Sequence, residues 1–119
     1  MRSLLVALFL LLFFIVTLPV YLIIRLVELF APKAGAKAAQ AIISGAFKII
    51  LVIAGAKTTV LGLENIPKDR PVLYTSNHRS YLDVVLGYTT VPNLTGFVAK
   101  KEIRSFPGLN WWMEAVNCL

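Results

Sequence analysis

An α/β fold behind an N-terminal membrane helix and an amphipathic helix is the class the sequence predicts, on three observations. Residues 3–24 contain no charged side chain. Lys37, Gln40, Ser44 and Lys48 recur at helical spacing within an otherwise apolar stretch. From Lys57 onward the period changes, and short stretches rich in Thr, Val and Leu alternate with helical ones between Pro and Gly turns, the pattern of strands and helices packed in layers.

Composition supports the division. Apolar residues make up 58% of the 119 and charged residues 15%, against about 45–50% and about 25% in ordinary globular domains. The excess lies in the first 56 residues, so residues 1–56 read as membrane-anchoring helices and residues 57–119 as a water-facing α/β part. Net charge is +6, from twelve Lys and Arg against six Asp and Glu. With a hydrophobic N-terminus this points to a membrane surface, and no basic run interleaved with aromatics argues for nucleic acid. A single His and a single Cys exclude an intrachain disulfide and a zinc site built on either residue type. Nothing beside Cys118 activates a thiolate, so it reads as packing.

At about 1.5 Å per residue, residues 3–24 span roughly 33 Å, enough for a bilayer core. A cleaved signal peptide has a shorter apolar core, and the buried helix of a soluble protein is rarely apolar on all sides. Arg25, Lys33 and Lys37 follow the segment while only Arg2 precedes it, which places the following domain on the cytoplasmic side of the membrane. The polar stripe of residues 37–57 suits a helix lying in the interface or packed on the domain; whether it crosses stays open.

Residues 58–63, 72–76 and 96–99 read as strands. Glu64 to Pro67, Lys68 to Pro71, Pro92-Asn93 and Pro107-Gly108 read as turns or loops. Asn77 or Ser80 is placed to cap a helix running to about Tyr88, and residues 111–115 read as helical.

His78 lies between an apolar strand and a helix start, where open α/β sheets bind ligands. Asp83 follows five residues later. On a continuous helix that spacing rotates the carboxylate off the face of His78. With His78 ahead of the helix, the turn brings it back to the ring. A carboxylate on one ring nitrogen fixes the tautomer, and the other nitrogen can take a proton from a hydroxyl. This is a base pair without a serine nucleophile, since neither Ser76 nor Ser80 stands in a G-x-S-x-G elbow. A substrate alcohol would fill that role. Spacing alone favours a plain polar cap at a helix start.

The context changes that reading. The run Asn77-His78-Arg79-Ser80-Tyr81-Leu82-Asp83 matches the NHxxxxD motif of the glycerolipid acyltransferases, and the chain resembles that family's 1-acylglycerol-3-phosphate acyltransferases. Leu61-Gly62-Leu63-Glu64-Asn65-Ile66-Pro67 is similar to the family's lead-in. Gly96-Phe97-Val98-Ala99-Lys100-Lys101-Glu102-Ile103 resembles its FVAKKEL segment, ahead of a Pro-Gly turn and a Trp-rich helix. The resemblance covers residues 57–119.

It implies His78 as general base, Asp83 as its orienting partner and Lys100 near the acceptor's phosphate. Asn77 is a candidate substrate contact that by its own residue type more readily shapes the turn. It implies acyl transfer from acyl-CoA or acyl carrier protein to 1-acyl-sn-glycerol-3-phosphate, giving phosphatidic acid, with no metal or bound cofactor. Membrane lipids, lysophosphatidic acid and the thioester are the implied partners. Another lysolipid acceptor (a lysophospholipid or lyso-ornithine lipid), a non-enzymatic membrane module and a hydrolase are the rival readings. The family's downstream EGTR-type motif does not occur among these residues. The expectation is therefore a truncated glycerolipid-acyltransferase-like α/β domain, inactive by itself.

Overall fold

A computed structural model describes residues 1–118. Its first two helices, α1 (Arg2–Phe30) and α2 (Pro32–Ala54), fold back on each other as an antiparallel hairpin. Each is long and apolar enough to cross a membrane. The reversal takes one residue, Ala31, at φ −143° and ψ 78°. Pro32 then occupies the first turn of α2, where its missing N–H is no loss and its fixed φ suits a helix. Gly35 lets the helices close at this end, because a Cβ there would run into the backbone and side chain of Glu28. At the far end the Arg2 guanidinium donates to the Ala54 carbonyl at 3.0 Å, satisfying one of the carbonyls a helix end leaves without a partner. Gly55, at φ 70°, stops α2 in the left-handed conformation that glycine adopts without penalty.

The hairpin does not stand alone. Gly35, Ala36, Ala39, Ile43, Ala46, Ile50 and Leu51 form one buried stripe of α2. The stripe meets α1, α3 (Leu82–Thr90) and α4 (Leu109–Ala115). The core gathers Ile24 from α1, Ala39 and Ile43 from α2, Tyr88 from α3, and Trp112, Ala115 and Val116 at the end of α4. Aromatic pairs run through it. Phe13 and Trp112 lie 5.6 Å apart between ring centroids, Tyr21 and Trp112 5.8 Å, Phe47 and Tyr88 5.6 Å, and Tyr88 and Phe97 4.7 Å. Each such pair adds about 0.5–1.5 kcal/mol beyond its burial. α2 is therefore packed on the domain, as one of the two sequence readings had it. On α1 only Ile24 is buried. Its other face carries Leu4, Leu8, Leu11, Ile15, Leu22 and Leu26, all exposed.

The three expected strands are a correction. Among the described residues none forms a β-strand, and the α/β layering is not present in them. Residues 72–76 and 96–99 are irregular, and Leu63–Asn65 is a 3-10 turn rather than the end of a strand. The physical reason is the absence of a ladder partner, since a lone strand leaves its backbone to water and is not stable. The last of the three expected strands nonetheless keeps an extended, alternating form. From Val91 to Lys100 burial alternates residue by residue, with Phe97 and Ala99 turned inward and Val98 85% exposed, and both end residues have extended φ and ψ.

Trp112 is 3% exposed, whereas its neighbour Trp111 is 41% exposed. Trp112→Ala should therefore destabilise the chain by about 3–5 kcal/mol, the usual range for emptying a buried aromatic site. Trp111→Ala should do much less. Thermal unfolding of both variants in detergent checks this.

Candidate active site

The sequence places a polar turn, Ser76 to Tyr81, immediately before α3. Local chemistry fixes its shape. The Ser80 hydroxyl oxygen accepts the Leu82 N–H at 3.1 Å. Three residues on, Asp83 Oδ2 accepts the Ser80 N–H at 2.8 Å and the Arg79 N–H at 2.6 Å. This reciprocal Ser-x-x-Asp arrangement is a capping box, which satisfies N–H groups that the first turn of a helix cannot pair internally. Of the two residues expected from sequence to cap the helix, Ser80 makes such a contact, one residue ahead of Tyr81, which precedes α3 and makes no side-chain cap bond itself.

The same Asp83 oxygen lies 3.2 Å from His78 Nδ1. Placing His78 outside the helix is what makes the five-residue spacing work, since the chain reverses through Arg79 to Tyr81 and returns the carboxylate to the ring. The two backbone N–H groups, Ser80 first and then Arg79, hold the Asp83 carboxyl below its ordinary range, and the imidazole adds to the effect. Asp83 is thus an anion held in place by the backbone. Its imidazole neighbour has one nitrogen committed to it, and no described residue hydrogen-bonds the other. The His78 side chain is 59% exposed and that of Asp83 29%, so the free nitrogen is open to an incoming molecule.

Lys100 does not join the pair. Its Nζ lies 3.9 Å from Glu102 Oε2, and it lines a cavity of about 440 Å³ with Lys101, Arg104, Asn110, Glu114 and Cys118, in which neither His78 nor Asp83 takes part. Asn77 is exposed, with no side-chain hydrogen bond to a described residue. Cys118 packs as expected and also meets polar atoms, with its Sγ 3.2 Å from Tyr88 Oη and 3.4 Å from the Phe97 N–H nitrogen. Burial, and then the sulfur beside it, push the Tyr88 phenol well above its usual range. Among the described residues no group of His, Cys, Asp and Glu is placed to hold a metal.

Comparison with known proteins assigns the second half of the chain. A family model described as Acyltransferase matches residues 57–119. The chain belongs to the Acyltransferase family. Over 64 residues it is 40% identical to the chloroplastic 1-acyl-sn-glycerol-3-phosphate acyltransferase BAT2 of Brassica napus, a match covering 51% of this chain and 18% of that protein. The chain thus spans less than a fifth of the length of this curated relative. No solved structure matches it. The resemblance to glycerolipid acyltransferases read from residues 57–119 is borne out by the family match. What sequence reading missed in this turn is the part played by the backbone N–H groups of Ser80 and Arg79 in fixing Asp83. The Ser-x-x-Asp spacing was the available signal.

Two backbone donors on one carboxylate oxygen set a pH expectation. A depressed carboxyl stabilises the fold above its unfolded value, and that contribution is lost as pH falls through the lower folded value. The capped turn should therefore survive through about pH 4, near the ordinary carboxylate value of about 3.9, and open only in stronger acid. Carbon-13 NMR of the Asp83 carboxyl against pH reads this directly. A midpoint at or above the ordinary value would contradict the doubly bonded carboxylate.

Proposed function

We propose that this chain carries the catalytic base of a membrane-bound 1-acyl-sn-glycerol-3-phosphate acyltransferase. The observation that carries the reading is His78 Nδ1 lying 3.2 Å from an Asp83 oxygen that two backbone N–H groups hold in place. The family match and the named relative supply the reaction class.

In this reading Asp83 keeps the Nδ1 proton on its own side of the ring, leaving Nε2 as the base. Nε2 takes the proton of the acceptor's free 2-hydroxyl as that oxygen attacks the carbonyl carbon of an acyl thioester, from acyl-CoA or acyl carrier protein. The tetrahedral adduct collapses with loss of the thiolate, which recovers the proton from the imidazolium. The products are the new ester, phosphatidic acid, and the free thiol. Asp83 stabilises the imidazolium formed between the two proton transfers. Ser80 is not the nucleophile, because its hydroxyl is engaged at the helix start. Lys100 is the cation proposed for the acceptor's phosphate, a point charge on a flexible stem, and Asn77 flanks the base on the open side of the turn. No metal is needed for either half of the transfer.

The exposed apolar face of α1 supports a membrane setting, with Leu4, Leu8, Leu11, Ile15 and Leu22 in contact with lipid and the site facing the cytoplasm. The 119 residues hold the base on an open surface, so the reading assigns turnover to the whole protein rather than to this stretch by itself.

His78→Ala should abolish acyl transfer in membranes carrying the whole protein, by the 10²–10⁴-fold or so that a general base supplies, with membrane association unchanged. Asp83→Asn keeps a neutral acceptor for the backbone N–H groups but removes the charge facing the ring, so it too should fall by about 10²-fold or more. The assay pairs an acyl thioester with lysophosphatidic acid. Near-normal turnover by His78→Ala would sink the mechanism.

A further inference from the structure

A second basic cleft lies away from His78. It has a volume of about 580 Å³ and is lined by Lys33 and Lys37 of α2, by Lys68, Asp69 and Arg70, by Tyr74, and by the segment Asn93 to Thr95. Its position follows from the fold. Lys33 and Lys37 sit one turn apart at the start of α2, and residues 68–74 and 93–95 close over them. Two side chains hold this closure: Asn93 Nδ2 donates to the Pro67 carbonyl at 3.5 Å, and Gln40 ties the 93–95 segment to α2. Gln40, three residues beyond Lys37, donates from Nε2 to the Asn93 carbonyl at 2.8 Å and accepts the Thr95 N–H on Oε1 at 2.7 Å. Both halves of the amide are used, so the 93–95 segment is held at one height against α2.

The electrostatics of the cleft are one-sided. Four cations line it against one acid. That acid, Asp69, meets Arg70 at 3.3 Å, with both side chains well exposed. Among the described residues Lys33, Lys37 and Lys68 have no acidic partner. Like charges gathered without counter-charge repel, and a surface tolerates them most readily where an anion joins them. The N-terminus of α2 adds its positive dipole end beside Lys33. A guanidinium, three ammonium groups and the Tyr74 hydroxyl are hydrogen-bond donors of the kind that a tetrahedral oxyanion takes up, while the Thr95 hydroxyl and the Asn93 amide donate to the Asn93 and Pro67 carbonyls and hold the wall of the cleft. The cleft also lies at the turn end of the hairpin, where the long apolar run of α1 gives way to Arg25, Glu28, Lys33 and Lys37. That is the level at which an embedded helix meets lipid headgroups.

We propose that this cleft is a phosphate-binding site, separate from the His78 turn and from the Lys100 cavity, which takes the phosphate of an anionic lipid headgroup or a phosphate group free in solution. It requires no catalytic step, so it stands or falls independently of the acyl-transfer reading. In a membrane it would seat the hairpin at a fixed depth, because the phosphate is bound at the junction of α2 with the loops that precede and follow α3.

The test uses the full 119-residue chain in neutral detergent micelles, titrated separately with inorganic phosphate and with short-chain phosphatidylglycerol. Short-chain phosphatidylcholine serves as the zwitterionic control. Amide shifts of Lys33, Lys37 and Thr95 give the affinity. Two double variants empty the cleft, Lys33→Gln with Lys37→Gln and Lys68→Gln with Arg70→Gln. A third, Lys48→Gln with Lys57→Gln, removes the same charge from exposed positions outside it. Lys33→Arg with Lys37→Arg restores the charge and guards against a folding defect, as does the circular dichroism of each variant.

Saturable binding of phosphate, of phosphatidylglycerol or of both, weakened about tenfold in each cleft variant, within twofold of wild type in the Lys48/Lys57 variant and recovered by the arginine pair, supports the site. The arm that saturates identifies the source. Equal losses in the cleft and control variants would show diffuse charge rather than a site, and saturation by phosphatidylcholine alike, or by neither anionic probe, would likewise overturn the proposal.

Discussion

One carboxylate oxygen organises the turn ahead of α3. Asp83 Oδ2 takes the N–H groups of Ser80 and Arg79 and faces His78 Nδ1. Capping a helix and orienting an imidazole are usually tasks for two residues. Here the chain reversal between His78 and Leu82 lets one do both. A floppy aspartate would have to be ordered each time it met the ring, at a cost in side-chain entropy. An aspartate already tied to the backbone has lost that freedom on folding, so the imidazole meets a fixed anion. The arrangement lies on the surface, and its order comes from short-range hydrogen bonds rather than from burial.

The second constraint is the seam that joins the hydrophobic helices to the rest. Trp112 packs on Phe13 and Tyr21 of α1, while Tyr88 of α3 packs on Phe47 of α2 and on Phe97. These contacts make the hairpin part of the same core that positions α3, and α3 carries Asp83. An anchor connected by a flexible linker would leave the reacting turn free to wander. Packed in this way, the turn has a set position relative to α1, whose outer apolar face stays exposed and would meet lipid in the proposed membrane setting. The proposed acyl transfer needs that relation, because both the acceptor and the product are membrane lipids.

Much of this was legible in the residues, and what was not has physical reasons. The first long helix follows from an unbroken apolar run, the second from a polar stripe at helical spacing, and the helix after His78 from its polar start, because all three signals are local. The approach of Asp83 to His78 was legible from the five-residue spacing, given a turn ahead of the helix. The strands failed as assignments because a ladder is a non-local property. Residues 91–100 alternate in burial, over a longer stretch than the expected strand 96–99, with no neighbour among the described residues to pair with. The basic cleft was invisible for a similar reason. Lys33 and Lys37 share a cleft with Lys68 and Arg70 where Gln40 ties α2 to Asn93 and Thr95 and Asn93 in turn reaches the Pro67 carbonyl, pairings far apart in sequence that no periodicity reports.

The most direct test of the account is the tautomer of His78. If Asp83 fixes the ring as described, nitrogen-15 NMR of the neutral imidazole should show the proton on Nδ1 and a bare Nε2. Asp83→Ala should shift the ring towards a mixture of tautomers while α3 stays folded. A proton on Nε2, or a tautomer indifferent to the loss of Asp83, would contradict the claim that this one carboxylate both caps the helix and prepares the base.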